Sequence, residues 1–296
     1  MLILQNWNCW LNKDNKENKV IIMTKKISCI QMASGINLQG NLYEAERLII
    51  QAVEAEADMV VLPEDFAFMG SAATDKLEHS EKVGDGPIQS FISNLADKHN
   101  VWIVAGSIPM KCDDPKRCRT AVLVYNDEGK QVARYDKMHM FDVTVPENGE
   151  KYHESDVVEP GNDICVFDSP LGKMGISVCY DLRFPELYRN MLDQGMEILV
   201  VPSAFTAFTG KAHWEPLVLA RAIENQCFVA AANQGGYHAN GRETHGHSMI
   251  VGPWGNVLDT LASGSGVITA EVDLDRLKAI RNNFPAVNHR ISHCTL

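Results

Sequence analysis

Two ten-residue stretches of the chain repeat one pattern, and this repeat constrains the fold more than any other feature. The stretches are ADMVVLPEDF at 57–66 and MEILVVPSAF at 196–205. Each is an apolar, strand-like run that ends in Pro-x-x-Phe, and each is followed by a predicted helix and then by a strand rich in alanine and valine. The repeat predicts one domain made of two similar halves related by a pseudo-twofold axis.

Buried strands alternate with amphipathic helices around this repeat, and two compact turns add hairpins. This mixture predicts mixed sheets covered by helices. Two such halves packed sheet on sheet give an α/β fold of four layers, an α-β-β-α sandwich. The predicted strands include 27–32, 59–63 and 101–108, the predicted helices cover 41–57, 87–100, 185–194 and 212–225, and the hairpin turns lie at 127–130 and 170–172.

The first 22 residues differ in character from the rest of the chain. Their apolar start is short and interrupted by asparagine, and a stretch rich in lysine and asparagine follows, which does not fit a signal peptide. We expect residues 1–22 to be a disordered tail or the product of a start codon assigned too early. Residues 23–296 are expected to form a single domain, because no Pro/Gly/Ser-rich linker divides them.

The composition excludes several classes of partner. A net charge of −11 and a pI near 5.4 argue against binding to nucleic acid or to anionic membranes. An anionic substrate would need a local cationic pocket, because the overall field repels it. The eight cysteines have no regular spacing, which indicates reduced thiols in a cytoplasmic protein. The chain has no apolar run of about 18 residues, so no membrane span is predicted.

Three reactive side chains directly follow apolar, strand-like runs: Glu64, Lys137 and Cys179. A further carboxylate, Glu154, lies in a predicted loop. A thiol needs a base or a cation nearby to react as a thiolate near neutral pH. A carboxylate can take that proton and later deliver it to a leaving amine, while an ammonium stabilises the thiolate and an oxyanion. Together these groups could transfer an acyl group from an amide through a thioester.

Each of these residues, taken alone, is also compatible with a structural role. Cys179 could be a buried core thiol, and Glu64 could be a carboxylate at a helix N-terminus. Lys137 could be a surface charge and Glu154 a loop acid. The residue types alone do not choose between the two interpretations, but the motifs around them do.

The sequence blocks around these residues are LPEDF (62–66), YDKMHMFD (135–142), HESDVVEPG (153–161), CYDLRFPELYR (179–189), PSAFTAFTGKAHWEPLVLARAIENQCFVAAANQGG (202–236), GHSMIVGPWGNVL and ITAEVDLDRLKAIR. These blocks resemble the signature blocks of the nitrilase (carbon–nitrogen hydrolase) superfamily, and they are most similar to its Nit-type amidase branch. The resemblance runs from about residue 26 to residue 292, in the order found in the family.

The resemblance implies a role for each candidate residue. Glu64 matches the general base, Lys137 the lysine that stabilises the oxyanion, and Cys179 the nucleophile. Glu154 matches a second glutamate that orients the substrate and supports the lysine, and the backbone N–H of Tyr180 would complete the oxyanion hole. The resemblance also implies the four-layer sandwich and catalysis without a cofactor or metal. It further implies a homodimer or higher homo-oligomer, paired through the helices that follow the nucleophile strand and the PSAF strand.

The branch implies a small amide that carries a carboxylate, such as deaminated glutathione or an omega-amide of a 2-oxo acid, cleaved with release of ammonia. Arg183 is the first candidate for the distal carboxylate, because a guanidinium can bind a carboxylate through two hydrogen bonds. A salt bridge to Glu186 or an interface contact is the structural alternative. Phe205 and Thr206, at the end of the PSAF strand, are candidates for the pocket wall.

Other functions stay open at this point. An N-carbamoyl amino acid amidohydrolase would use the same three residues. A partner-binding protein on the same scaffold would be favoured by a missing catalytic residue, and all three are present. The histidines at 238, 245 and 247 lack a carboxylate or cysteine at ligand spacing, which favours hydrogen bonding over a metal site. The motifs typical of serine hydrolases, P-loop NTPases and Rossmann enzymes are absent from the sequence.

Overall fold

The computed structural model of the protein describes residues 24–145, 149–239 and 241–291. The tail predicted for residues 1–22 lies outside these ranges. The helices within them are α1 (Leu38–Glu54), α2 (Pro87–His99), α3 (Pro185–Asp193), α4 (Ala207–Asn225) and α5 (Leu274–Asn283). The strands are β1 (Lys25–Gln31), β2 (Met59–Val61), β3 (Trp102–Val104), β4 (Ile108–Lys111), β5 (Cys118–Tyr125), β6 (Gln131–Asp136), β7 (Asp142–Thr144), β8 (Lys151–His153), β9 (Val166–Ser169), β10 (Gly172–Ile176), β11 (Ile198–Val200), β12 (Phe228–Ala231), β13 (Gly235–Tyr237), β14 (Glu243–His245), β15 (Ser248–Val251), β16 (Val257–Leu261) and β17 (Gly266–Val272).

Two large sheets carry the fold, and they repeat one order of strands. The first sheet runs β17-β1-β2-β3-β5-β4, with β6 paired to β5, and the second runs β16-β15-β12-β11-β10-β9. In each sheet three neighbouring strands are parallel, β1-β2-β3 and β10-β11-β12, and antiparallel strands flank them on both sides. The shared order of pairings confirms the pseudo-twofold relation predicted from the repeat.

The relation extends to single hydrogen bonds at the ends of the repeated strands. In the first half the N–H of Leu62 donates to the carbonyl oxygen of Val104 at 3.0 Å. In the second half the N–H of Val201 donates to the carbonyl oxygen of Ala230 at 2.9 Å. Leu62 and Val201 each precede the proline of the Pro-x-x-Phe repeat. The residue after that proline therefore has the same position at the end of both strands.

The apolar residues of the strands alternate between two cores. Met59 and Val61 of β2 and Ile198 of β11 point into a core that the two sheets share. Val60 packs instead with α1 and α2, and Leu199 packs with α3 and α4. Because successive strand side chains point to opposite faces, both sheets are buried on both faces. The layers are therefore helices, sheet, sheet and helices, as predicted.

Two elements differ most from their predicted bounds. The predicted strand 101–108 divides into β3 and β4, because the chain turns at Gly106, which has a φ of +47°. Helix α4 begins at Ala207 rather than at 212. The Thr206 hydroxyl caps it by accepting a hydrogen bond from the N–H of Thr209 at 3.3 Å. In both cases a local backbone feature sets the boundary.

None of the helices in the described ranges combines the length and the apolar character that a membrane span requires.

Candidate active site

A cavity of about 490 Å³ is lined by residues that follow strands of both sheets. Glu64 follows β2, Lys137 follows β6 and Cys179 follows β10, while Glu154 begins a 3₁₀ turn after β8. All four residues line this one cavity. Side chains that are separated by more than a hundred residues in sequence are therefore brought together.

Lys137 is at the centre of the cluster. Its Nζ donates to Glu64 Oε1 at 3.0 Å and to both carboxylate oxygens of Glu154 at 2.8 Å. Lys137 is only 2% exposed and Glu64 only 5% exposed. The charges are paired and hydrogen-bonded where water is largely excluded, so the electrostatic interactions within the cluster are stronger than at the surface.

The cluster shifts the proton affinity of its members. Burial lowers the pKa of Lys137, but the neighbouring Glu154 and Glu64 carboxylates outweigh that effect and hold its pKa well above the ordinary value. Burial raises the pKa of Glu64, and the Asp65 and Glu154 charges add to this, while Lys137 opposes it. Lys137 therefore remains an ammonium, and Glu64 is a stronger base than an exposed glutamate.

Cys179 has a strained backbone at the end of its strand. Its φ is +45°, in the left-handed region that residues other than glycine rarely adopt. Its N–H donates to the carbonyl oxygen of Pro202 at 2.9 Å. Burial and the nearby Glu64 raise the pKa of the Cys179 thiol, against the lowering effects of Lys137 and of the hydrogen bond from the Ala204 backbone. The resting thiol is therefore protonated and needs a base.

Close backbone packing sets the position of Glu64. A Cβ atom on Gly106 would lie 2.1 Å from the carbonyl oxygen of Pro63, so the approach of these two loops requires glycine. Asp65, the residue after Glu64, has a φ of +55°, and its N–H donates to the Ser107 hydroxyl at 2.9 Å. The turn after β2 is thus fixed from the end of β3, and it directs Glu64 towards Lys137.

Three further backbone contacts hold the lysine and its second carboxylate. The N–H of Lys137 donates to the carbonyl oxygen of Thr120 at 2.9 Å, and its own carbonyl oxygen accepts from the N–H of Gly161 at 2.8 Å. Glu154 Oε2 accepts from the N–H of Phe141 at 2.7 Å. Glu154 therefore binds both the ammonium and the loop that follows it.

A buried carboxylate, Asp181, joins the nucleophile turn to the lysine loop, and the sequence interpretation assigned it no role. One of its oxygens accepts from the N–H of Val178 at 2.8 Å and from the Tyr135 hydroxyl at 2.7 Å. Its other oxygen accepts from the N–H of His139 at 3.0 Å and lies 2.7 Å from His139 Nδ1. Asp181 is completely buried. It thus fixes the residues before Cys179 relative to those after Lys137.

The other predicted site residues also line the cavity: Tyr180, Arg183, Phe205 and Thr206. Within the described part of the chain Arg183 makes no ion pair, with Glu186 or otherwise. Its guanidinium lies 5.3 Å from the Phe205 ring centroid and 5.6 Å from that of Tyr180, and Nη1 is 3.2 Å from His213 Nδ1. These contacts orient Arg183 on the cavity wall.

Three cationic residues of the cavity lining were missing from the sequence interpretation: Lys76, Lys151 and Arg242. Lys76 Nζ lies 3.5 Å from Asp65 Oδ1. Burial lowers the pKa of Lys76, but the Asp65, Glu154 and Glu64 carboxylates raise it overall. Arg242 lies just before β14 and also lines the cavity. Lys76 belongs to the 3₁₀ segment Ala73–His79 and Arg242 to the turn before β14. Neither segment has hydrophobic periodicity, so no sequence signal connected these two residues with the catalytic strands.

The histidines weighed as metal ligands make other contacts. His238 Nδ1 lies 2.7 Å from the carbonyl oxygen of Ser34, and Nε2 lies 2.7 Å from the Thr244 hydroxyl. The rings of His245 and His247 stack at 4.7 Å, and burial lowers the pKa of His245 to about 4. Among the residues the structure describes, no group of three histidine, cysteine, aspartate or glutamate side chains is arranged to hold a metal ion.

Comparison with known proteins identifies the family of the chain. The profile of the carbon-nitrogen hydrolase family matches residues 26–282. The deaminated glutathione amidase of Synechocystis sp. is 44% identical over 268 residues, covering 89% of this chain and 97% of the relative. The deaminated glutathione amidase of Dictyostelium discoideum is 42% identical over 283 residues, covering 92% of this chain and 97% of the relative.

A solved structure agrees as well. The crystal structure of the C. elegans NitFhit protein superposes with a TM-score of 0.84 at 37% identity, and the match covers 90% of this chain and 65% of that protein. The sequence profile, the relatives and the shared fold lead to one conclusion. The chain belongs to the carbon–nitrogen hydrolase family and is an enzyme of the amidase class.

Proposed function

We propose that this protein is a thiol amidase that hydrolyses small carboxylated amides, with deaminated glutathione as the first candidate substrate. The observation that carries the proposal is the convergence of Glu64, Lys137 and Cys179 from three strand ends in one cavity. The names of the two deaminated glutathione amidases support the choice of substrate.

The acylation step follows from the positions of these groups. Glu64 takes the thiol proton, and the Cys179 sulfur attacks the amide carbon. The Lys137 ammonium and the N–H of Tyr180 stabilise the oxyanion of the tetrahedral intermediate. Tyr180 belongs to the first turn of the 3₁₀ segment Cys179–Arg183, where N–H groups lack partners within the turn.

The leaving group depends on the amide. Glu64 returns its proton to the amide nitrogen as the C–N bond breaks, and Cys179 is left as a thioester. A primary amide releases ammonia, as expected from the sequence. Deaminated glutathione is a substituted amide at its γ-carbonyl, so cleavage there releases an amine instead. Water, deprotonated by Glu64, then hydrolyses the thioester and restores the thiol.

Arg183 is the proposed anchor for the carboxylate on the acyl part of the substrate. Its guanidinium is held beside Tyr180 and Phe205, and Thr206 lies on the same wall. A guanidinium presents paired N–H donors that match a carboxylate. The substrate acyl group would thus lie between Cys179 and Arg183, with its carbonyl facing Lys137.

The test is a panel of three compounds: deaminated glutathione, 2-oxoglutaramate and an N-carbamoyl amino acid. Product release is measured, and the enzyme is quenched in acid during turnover for intact-protein mass spectrometry. An acyl adduct of 2-oxoglutaryl mass on Cys179 is expected. Turnover of the carbamoyl compound alone would transfer the assignment to the carbamoyl amidohydrolases, and turnover with no adduct on Cys179 would contradict the thioester.

We further propose that the enzyme acts as a homodimer in the cytoplasm. Helices α3 and α4 cover the outer face of the second sheet and are tied together by Arg189, whose Nη1 donates to the carbonyl oxygen of Glu224 at 2.6 Å. Pairing of these helices across a twofold axis would extend the sandwich. Sedimentation of the purified protein at twice the mass of 32.9 kDa would support the dimer. A monomer would exclude it.

A further inference from the structure

Three aromatic rings form a row along one wall of the cavity. The Tyr152 and Phe141 ring centroids are 4.8 Å apart, and the Phe141 and Tyr180 centroids are 5.1 Å apart. A guanidinium lies against the ring at each end. The Arg183 guanidinium is 5.6 Å from the Tyr180 centroid, and the Arg242 guanidinium is 5.4 Å from the Tyr152 centroid. This aromatic row therefore has a cation at both ends.

The catalytic groups are attached to the middle of the row and to its Arg183 end. The N–H of Phe141, the middle ring, donates to the Glu154 carboxylate that holds Lys137. Tyr180 directly follows Cys179 in the chain. An amide bound at Cys179 therefore has the Arg183 guanidinium near its acyl part. Arg242 lies farther along the same wall, at the other end of the aromatic row.

Arg242 is fixed in place by contacts with this wall. Its Nη2 donates to the carbonyl oxygen of Ala204 at 3.1 Å, and the backbone of Ala204 also hydrogen-bonds the Cys179 thiol. Its guanidinium lies against Tyr152, whose hydroxyl donates to Glu150 at 2.7 Å. The guanidinium is thus oriented before a substrate binds, which lowers the entropic cost of using it as an anchor.

The cavity also has room for more than a small acyl group. Its volume of about 490 Å³ is within the range of sites that enclose drug-sized ligands, whereas a five-carbon acyl group fills a small part of it. The protein carries a net charge of −11, so an anionic group is attracted to this wall by local cations rather than by the overall field.

We propose that Arg242 binds a carboxylate on the amine part of the substrate, and that this contact makes the enzyme prefer a leaving amine with a free carboxylate to one whose carboxylate is blocked. This inference rests on the proposed function, because it assumes an acyl carboxylate at Arg183 and attack by Cys179. The amine leaves with the proton from Glu64 and takes its carboxylate away from Arg242. Water then supplies the oxygen that hydrolyses the thioester.

The experiment uses three amides that share the same 2-oxoglutaryl acyl group and differ in the amine part. The first is the amide of a dipeptide with a free C-terminal carboxylate, the second ends in a carboxamide, and the third is the primary amide. The wild-type enzyme is expected to have a KM about 10- to 100-fold lower for the carboxylate than for the carboxamide, the range of a charge-assisted hydrogen bond.

Three variants locate the origin of that preference. Arg242→Ala is expected to abolish the difference between the two KM values, and Arg242→Lys to restore part of it, because lysine keeps the charge without the paired donors. The matched control is Lys151→Ala, which removes one positive charge beside Tyr152 and is expected to keep the preference. For each variant, the KM values for the carboxylate and the carboxamide are measured on one preparation and compared as a ratio. A misfolded fraction of the preparation therefore does not change the result.

The outcomes separate this inference from the function on which it rests. Equal KM values for the carboxylate and the carboxamide in the wild type would overturn the inference, as would full preference in Arg242→Ala. Equal loss in Lys151→Ala would also overturn it, because a general positive field would then explain the effect. In each of these cases hydrolysis of the primary amide would still support the amidase. Failure to hydrolyse any of the three would refute the proposed function itself.

Discussion

The two halves of the sandwich share a backbone plan but carry different side chains at equivalent strand ends. Ile27 pairs with Met59 in the first half as Met174 pairs with Ile198 in the second, so Met32 occupies the position of Cys179. Met32 is 1% exposed and packs in the core between the first sheet and its helices, whereas Cys179 lines the cavity.

The strands that carry the repeat, β2 and β11, are also followed by different side chains in the two halves. The residue after the proline is Glu64 in the first half and Ser203 in the second. Glu64 contacts Lys137, while the buried Ser203 hydroxyl donates to the carbonyl oxygen of Val201 at 3.3 Å. The first half thus supplies the carboxylates and the ammonium, and the second supplies the nucleophile and the Arg183 wall. Neither half contains a complete site.

Alanine substitution of the two residues at equivalent strand ends, Cys179 and Met32, is the strongest test of this division. Cys179→Ala removes the nucleophile and is expected to lower kcat by about 10⁴-fold or more with little change in stability. Met32→Ala leaves a core cavity and is expected to lower the free energy of unfolding by about 2–5 kcal/mol, with kcat of the folded enzyme retained. Amidase assays and denaturant unfolding check both variants. Full activity in Cys179→Ala would refute the assigned nucleophile.

The residues after the two prolines give the next largest contrast. Glu64→Gln keeps the shape of the side chain but removes the base, and kcat/KM is expected to fall about 10²- to 10⁴-fold. Ser203→Ala removes one hydrogen bond between neutral groups and is expected to lower stability by about 1 kcal/mol while activity is retained. Steady-state kinetics and thermal unfolding measure the two effects. A similar loss of kcat/KM in both variants would show that the contrast between the halves is wrong.

The pH profile tests the charge cluster of the first half, with the smallest expected effect. Glu64 acts as a base only when ionised, and burial raises its pKa, so kcat/KM is expected to fall as pH drops through a value above that of an exposed glutamate. Glu154→Gln removes a negative charge that raises the pKa of Glu64. The acidic limb should therefore move to lower pH, by about one unit or less.

The control for this shift is Glu186→Gln, which removes an equal charge from the start of α3 and is expected to leave the acidic limb in place. Profiles of kcat/KM against pH for the three proteins provide the measurement. A limb that moves to higher pH in Glu154→Gln would contradict the view that the Glu154 charge opposes ionisation of Glu64.

Much of the architecture could be predicted because strands and helices have different hydrophobic periods. The Pro-x-x-Phe repeat predicted two similar halves, and the fold has them. The bounds were less secure where a single residue decided them: Gly106 ends β3 through its positive φ, and Thr206 begins α4 five residues early. Such local effects compete with periodicity and are weak signals in sequence.

By itself, the sequence determined the layer order and the candidates Glu64, Lys137, Glu154 and Cys179, because alternating burial and reactive residues near strand ends are local properties of a chain. The resemblance of its motifs indicated the family. The tertiary structure alone decided which groups surround the four candidates. Asp181, Lys76 and Arg242 became part of the site through contacts between segments far apart in sequence. Distances and burial set the pKa of Glu64 and the orientation of Arg242, and both arise only when the two sheets pack together.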